Sequence, residues 1–378
     1  MKFVKNTAFF FLISMLFIQC KKEAPLEINS VVKNEIQYAK GFEIYKYKGF
    51  SLLKVTQPWP NATASFTYIL KEKNAIIPDS LKQYAVVNVP IKSIVVTSTT
   101  HIPSLEILGV ENSLIGFPNT DYISSEKTRK NIDAGKVREV GKNENLNTEV
   151  LIDIAPDVIV GFGLSNSNPS LDILQKSGLK VLFNGDWTEQ SPLGKAEWIK
   201  FFGALYGLDQ KANTTFKEIE KEYKTTLALV QNTTTKPTVL CGAMYQDQWY
   251  VPQGESWASL FLKDAKANYL WANTKGTGGL ALPFEVVLEK AQQANFWIAP
   301  GDYVTLKQLS DSNPHYAEFE AFKNKKVYSY AIHKGAKGGI LFFEWSPTRP
   351  DWVLKDLIKI LHPELLPNYT PHFYQQLQ

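Results

Sequence analysis

The chain has 378 residues, with 44% hydrophobic and 21% charged residues; this is room for about two domains. That balance is ordinary for a globular protein and excludes disorder beyond the termini. A formal charge of +4 is small for this length, and no dense Lys/Arg block stands out, so nucleic acid is excluded as the main partner.

The N-terminus reads as a targeting segment. Lys2 and Lys5 open it, residues 8–18 form an apolar core, and Gln19-Cys20 follows. About 11 apolar-type residues are too few for a bilayer-spanning helix, which needs roughly 20. A Cys closing such a core resembles the lipidation site of a bacterial lipoprotein signal, although Gln19 stands where a small residue is usual. The expectation is lipidation at Cys20 with a tether behind it; the alternative is an ordinary secretory signal with an incidental Cys. Cys241 then stays as the one free thiol, expected to be buried and structural, since a single Cys makes neither an internal disulfide nor a Cys-based metal site.

Residues 42–70 alternate and are rich in Tyr, Phe, Ile and Thr, which predicts strands in a small β extension. Ile94-Val-Val-Thr-Ser-Thr-Thr100 is a β-branched run that reads as a buried strand, followed by a helix over 103–108 that Gly109 ends. Strands are predicted at 114–117, 158–161 and 180–183, with helices at 149–154, 170–177 and 192–206. Phe216, Ile219, Tyr223, Leu227 and Val230 then follow helical spacing over about 210–231. At roughly 1.5 Å per residue this helix spans about 33 Å, enough to cross from one lobe to another. The alternation restarts with strands at 238–240, 296–298 and 326–330 and helices at 256–262, 285–291 and 351–361. An aromatic tail over 363–378 is expected to pack on the second lobe.

Two stretches look like one element used twice. Leu146-Asn-Thr-Glu149 runs through an apolar helix to Ala155 and the strand Val158-Ile-Val, and Leu282-Pro-Phe-Glu285 runs in the same way to Ala291 and Phe296-Trp-Ile. Duplication suggests two similar lobes with a working cleft between them.

Taken in order, these segments resemble the periplasmic solute-binding proteins of ABC importers for iron-siderophore complexes, haem and cobalamin. The resemblance covers roughly residues 92–362. It rests on the β-branched run at 94, Leu105-Glu-Ile-Leu-Gly-Val with Ile115-Gly, the two Glu-bearing stretches, Leu260-Phe-Leu and Ala267-Asn268. The β extension and the segment 186–203 depart from the plainest members. The implied fold is α/β: two Rossmann-like lobes with mainly parallel sheets joined by one long helix, plus an N-terminal β extension. The implied division is a lipoprotein signal (1–20), tether and extension (21–91), first lobe (92–209), connecting helix (210–231) and second lobe (232–378). The resemblance also implies that Glu149 and Glu285, one per lobe, dock on arginines of an ABC permease, and that the protein is a monomer without chemistry or cofactor of its own.

Ligand contacts are expected at strand ends. His101 ends the first strand and would ligate a metal, hydrogen-bond a ligand or satisfy local backbone. Tyr122 lies in the loop after the second strand, and Trp187 follows the strand at 180–183. Trp249 and Tyr250 sit in Gln246-Asp-Gln-Trp-Tyr-Val-Pro, read as a loop whose aromatics stack on a guest. His333, Trp345 and Arg349 precede the last helix, Arg349 pairing either an anionic ligand or Glu344. No HExxH, paired CxxC or phosphate-loop pattern is present. The expected function is capture of an iron-siderophore, haem or cobalamin ligand by a lipid-anchored binding protein facing the periplasm or cell surface. The alternative is a metal-dependent enzyme or metal-ion-binding protein on the same two-lobe plan.

Overall fold

A computed structural model describes residues 33–165 and 167–378; the signal, Cys20 and most of the tether lie outside the described residues. The extension is a sheet of four strands in the order β1 (Phe42–Tyr47), β2 (Phe50–Val55), β3 (Phe66–Lys71) and β4 (Ala85–Asn88), antiparallel except that β4 runs parallel to β3. Alternation along β1 and β2 sends Phe42, Ile44, Leu53 and Val55 inward, where they share one core with the first lobe.

The first lobe follows. Its strands are β5 (Ile94–Val96), β6 (Leu114–Phe117) and β7 (Arg138–Glu139), then a hairpin of β8 (Gly141–Lys142) and β9 (Asn145–Leu146), then β10 (Val158–Gly161) and β11 (Val181–Phe183). They form a parallel sheet in the order β11-β10-β5-β6-β7. Strands β5 and β10 are buried throughout, as a sheet covered on both faces requires.

The helix Asp209–Leu229 joins the lobes, packing on the helix Ile199–Tyr206 at one end and the helix Pro350–Leu361 at the other. Phe216, Ile219 and Tyr223 are buried as the spacing required; Leu227 is exposed, and Thr226 takes the inward place one residue earlier. The second lobe begins at β12 (Thr238–Cys241) and continues through β13 (Ala243–Tyr245), β14 (Gln248–Pro252), β15 (Asn268–Tyr269), β16 (Gly279–Leu282), β17 (Phe296–Ile298), β18 (Val327–Ser329) and β19 (Gln375–Gln376). The main sheet runs β15-β12-β17-β18-β19, parallel except for β19, which brings the aromatic tail onto the lobe; β13, β14 and β16 form a separate antiparallel sheet. The expected two-lobe α/β fold with parallel sheets is therefore present. No helix among the described residues is long and apolar enough to cross a membrane.

The two departures noted in the sequence are built for one another. In the 186–203 segment, buried Glu197 accepts hydrogen bonds from the amides of Gln37, Tyr38 and Ala39, and Glu189 accepts from those of Lys40 and Gly41. Two buried carboxylates thus satisfy five consecutive backbone donors ahead of β1, which would otherwise be costly to bury. Leu193 of the same segment enters the second lobe's core while Ala196 and Trp198 enter the first lobe's, so the segment ties the lobes together.

Candidate functional site

A cavity of about 850 Å³ opens at the C-terminal ends of β12, β17 and β18. That is the edge at which parallel α/β sheets present ligands, because the helices cover both faces and leave the strand ends open. Gly242, directly after β12, makes the turn into β13. It has φ +76°, and a Cβ there would lie 1.8 Å from the Tyr250 carbonyl oxygen, so a glycine is needed. The hairpin β13–β14 then stands Tyr245 and Tyr250 at the cavity with their rings 6.3 Å apart.

Alternation decides the fate of the Trp-Tyr pair. Along β14, Trp249 and Val251 are buried and Tyr250 is 45% exposed. The expectation that Trp249 stacks on a ligand from a loop is thereby corrected: it lies on a strand whose period of two turns neighbours to opposite faces. Its ring sits 5.3 Å from Trp297, 5.5 Å from Tyr316 and 5.5 Å from Phe319, and its Nε1 donates to the Cys241 carbonyl at 2.9 Å. Tyr250 lines the cavity.

The remaining walls were not singled out as ligand contacts from the sequence. Trp257 comes from the helix Trp257–Asp264, Tyr303 from the loop after β17, Tyr330 from the end of β18, and Phe342 and Phe343 from the helix Leu341–Trp345. Tyr330 stacks on Phe342 with ring centroids 4.4 Å apart. The signal for Tyr303 was available, since Ile298-Ala-Pro-Gly-Asp-Tyr303 follows a buried strand in the same way as the loop after β12. Cys241 lies buried at the cavity, and burial pushes its thiol well above the ordinary range.

The other sequence candidates lie elsewhere. His101 is fully buried in the turn Thr99–His101, its ring 5.4 Å from Phe202 and beside the Asn184 and Asp186 side chains. Burial lowers its pKa, opposed by the nearby Asp186 carboxylate and the Asn184 side chain; enclosed in this way, it does not line the cavity. Arg349 does not pair with Glu344 and does not line the cavity: its Nε and Nη2 hold the Asp351 carboxylate at 2.9 and 2.6 Å, and its guanidinium lies over Trp352. Trp345 stacks on that same Trp352. Tyr122 and Trp187 are exposed on the first lobe and His333 is half-buried; none of the three lines the cavity. Among the described residues no group of three or more His, Cys, Asp or Glu side chains gathers into a metal-holding cluster.

Glu344 instead joins the lobes. Its carboxylate accepts from the amides of Ser124 and Ser125 at 2.6 and 2.9 Å, and it is 1% exposed. The loop before it comes so close to the first lobe that a Cβ on Gly335 would sit 2.5 Å from Ser124 Cα and one on Gly339 2.3 Å from the Tyr122 carbonyl oxygen. The segment 335–345 is thus a strap, with Phe342 and Phe343 facing the cavity and its helix packed on the Thr99–His101 turn. Burial, with Glu106 nearby adding repulsion, pushes Glu344 up to about 7 against the pull of the Ser amides and Arg129. A carboxyl raised in the folded state from an unfolded value of about 4.3 gives stability that is full below pH ~4.3 and is lost as pH rises through 7. Glu344→Gln does not titrate. Its stability relative to the parent should therefore climb between about pH 5 and 7, by up to ~3 kcal/mol. Urea denaturation across that range checks this; a difference independent of pH would show that the carboxyl is not held protonated.

Fold and cavity together define a two-lobed ligand-binding protein. Residues 94–331 match the family model described as periplasmic binding protein, and the chain belongs to that family. It is 27% identical over 321 residues to an uncharacterised lipoprotein of Methanocaldococcus jannaschii, covering 81% of this chain and 75% of that one. Among solved structures it is similar to a periplasmic haem-binding protein of Pseudomonas aeruginosa (TM-score 0.56, 17% identity, 76% of this chain and 98% of that one). It is likewise similar to a possible iron-binding, periplasmic solute-binding protein of Staphylococcus epidermidis (TM-score 0.55, 19% identity, 72% and 99%).

Proposed function

We propose that this chain is an extracytoplasmic, lipid-anchored substrate-binding protein. It takes up a bulky chelate of the iron-siderophore, haem or cobalamin class and hands it to an ABC permease. The observation that carries this reading is the aromatic cavity of about 850 Å³ at the strand ends of the second lobe, large enough for such a guest and walled by rings suited to flat, apolar faces. Membership of the periplasmic binding protein family supports the role, the similarity to a lipoprotein supports the anchor at Cys20, and similarity to haem- and iron-binding proteins supports the ligand class. Glu149 and Glu285, both exposed in the first turn of a helix, are proposed as the permease contacts.

Trp257 stands in the cavity wall, so guest binding should quench tryptophan fluorescence. Titration with a ferric siderophore, haem and cobalamin is expected to show saturable quenching by at least one of them. Tyr250→Ala should weaken it about tenfold through the lost ring contact. If all three bind more weakly than about 1 mM, or roughly −4 kcal/mol, the transport role fails.

A further inference from the structure

The cavity has a marked charge character. Asp302, an exposed residue in the loop after β17, is the only charged side chain among those lining it, and it forms no ion pair with the described residues. Lys195 of the first lobe reaches the Trp257 ring with Nζ 5.5 Å from its centroid. It does not line the cavity, and it donates to the carbonyl oxygens of Asp186 and Trp187 at 3.0 and 3.1 Å. Arg349 is held by Asp351.

From this lining we infer that the site selects its guest by charge, taking an uncharged or cationic chelate and rejecting an anionic one, with Asp302 receiving the positive group. The inference rests on the binding role proposed above. An anionic guest would give up its hydration for a wall of rings, hydroxyls, backbone and one carboxylate of its own sign, with no cation in the lining to pair its charge. A neutral guest loses nothing of that kind, and a cation gains Asp302. The Tyr330 hydroxyl is pushed up to about 12, by burial first and by the Asp302 carboxylate in addition, and burial raises the Cys241 thiol.

The test uses the full chain in detergent at low ionic strength, read by tryptophan quenching. Its probes are ferrioxamine B (cationic), ferrichrome and cyanocobalamin (uncharged), and ferric enterobactin and haem (anionic). At least one cationic or uncharged probe should bind about tenfold or more tighter than either anionic one. If ferrioxamine B is bound, Asp302→Asn should weaken it about five- to tenfold and leave ferrichrome and cyanocobalamin unchanged. Tighter binding of ferric enterobactin or haem overturns the inference while leaving the transport role standing. Failure of ferrioxamine B to bind, binding that Asp302→Asn does not alter, or an equal loss for the uncharged probes overturns the part assigned to Asp302. Absence of quenching by every probe overturns both readings together.

Discussion

Trp249→Ala is expected to destabilise the second lobe by about 3–5 kcal/mol, the range for removing a large aromatic from a packed core. The ring is fully enclosed and touches Trp297, Tyr316 and Phe319, three of the largest buried side chains in the molecule. Truncation removes those contacts at once. It also leaves the Cys241 carbonyl without the Nε1 donor at 2.9 Å, which adds an unsatisfied buried acceptor. Neighbours of this size do not collapse into the space easily, because Tyr316 is pinned by the Met244 amide to its hydroxyl at 3.0 Å. Trp249→Phe keeps most of the apolar area and loses only the indole donor and its margin of volume, so about 1–2 kcal/mol is expected. Urea denaturation followed by far-ultraviolet circular dichroism measures both. An Ala variant that loses under ~1 kcal/mol would show that the ring does not anchor β14. Because Tyr250 follows on the same strand, the Ala variant should also bind guest more weakly, whereas the Phe variant should keep most of its affinity.

The same residue shows where sequence reading succeeds and where it stops. The β-branched run at 94, the long helix and the duplicated Glu-bearing steps are legible because each states its own period or composition. Trp249 reads as a loop residue because Asp247, Pro252, Gly254 and the glutamines nearby suggest a turn, although Gln248-Trp-Tyr-Val-Pro also alternates, and that alternation governs the side-chain direction. The exchange of Leu227 for Thr226 is of another kind. Steps of three and four residues both stay on one helical stripe, so spacing leaves the two positions equivalent, and packing at the far end chooses between them. Arg349 finds its partner two residues away in Asp351, a local pairing that a search for ligand contacts passes over. The buried acids Glu189, Glu197 and Glu344 were out of reach. Their partners are backbone amides 148 to 220 residues distant in the chain, and an amide carries no sequence signal. The strap at 335–345 is hidden for the same reason. Its glycines read as turns, and only the approach of Ser124 and Tyr122 shows why a side chain would not fit.

Replacing both Glu149 and Glu285 by Ala is expected to lower ligand uptake by cells at least about tenfold while leaving ligand affinity unchanged. Both carboxylates are exposed, neither pairs with a cation among the described residues, and neither lines the cavity. Each belongs to the first turn of a helix that opens one lobe's αβ step, so the two mark equivalent points on the two halves of the protein. A permease carrying arginines at matching separation would read the orientation of both lobes at once, since a guanidinium fork pairs a carboxylate in a fixed plane. The competing account is local. A negative side chain in a helix's first turn interacts favourably with the helix dipole, a contribution of about 0.3–1 kcal/mol. That account predicts a small stability loss and normal uptake; docking predicts normal folding and failed uptake. Charge reversal sharpens the distinction. Glu149→Arg or Glu285→Arg alone should suppress uptake more than the matching Ala change, because repulsion is added to the lost pair, while tryptophan quenching by the guest stays at the parent level. Normal uptake by the double Ala variant would remove both residues from the permease interface and leave the dipole as their role.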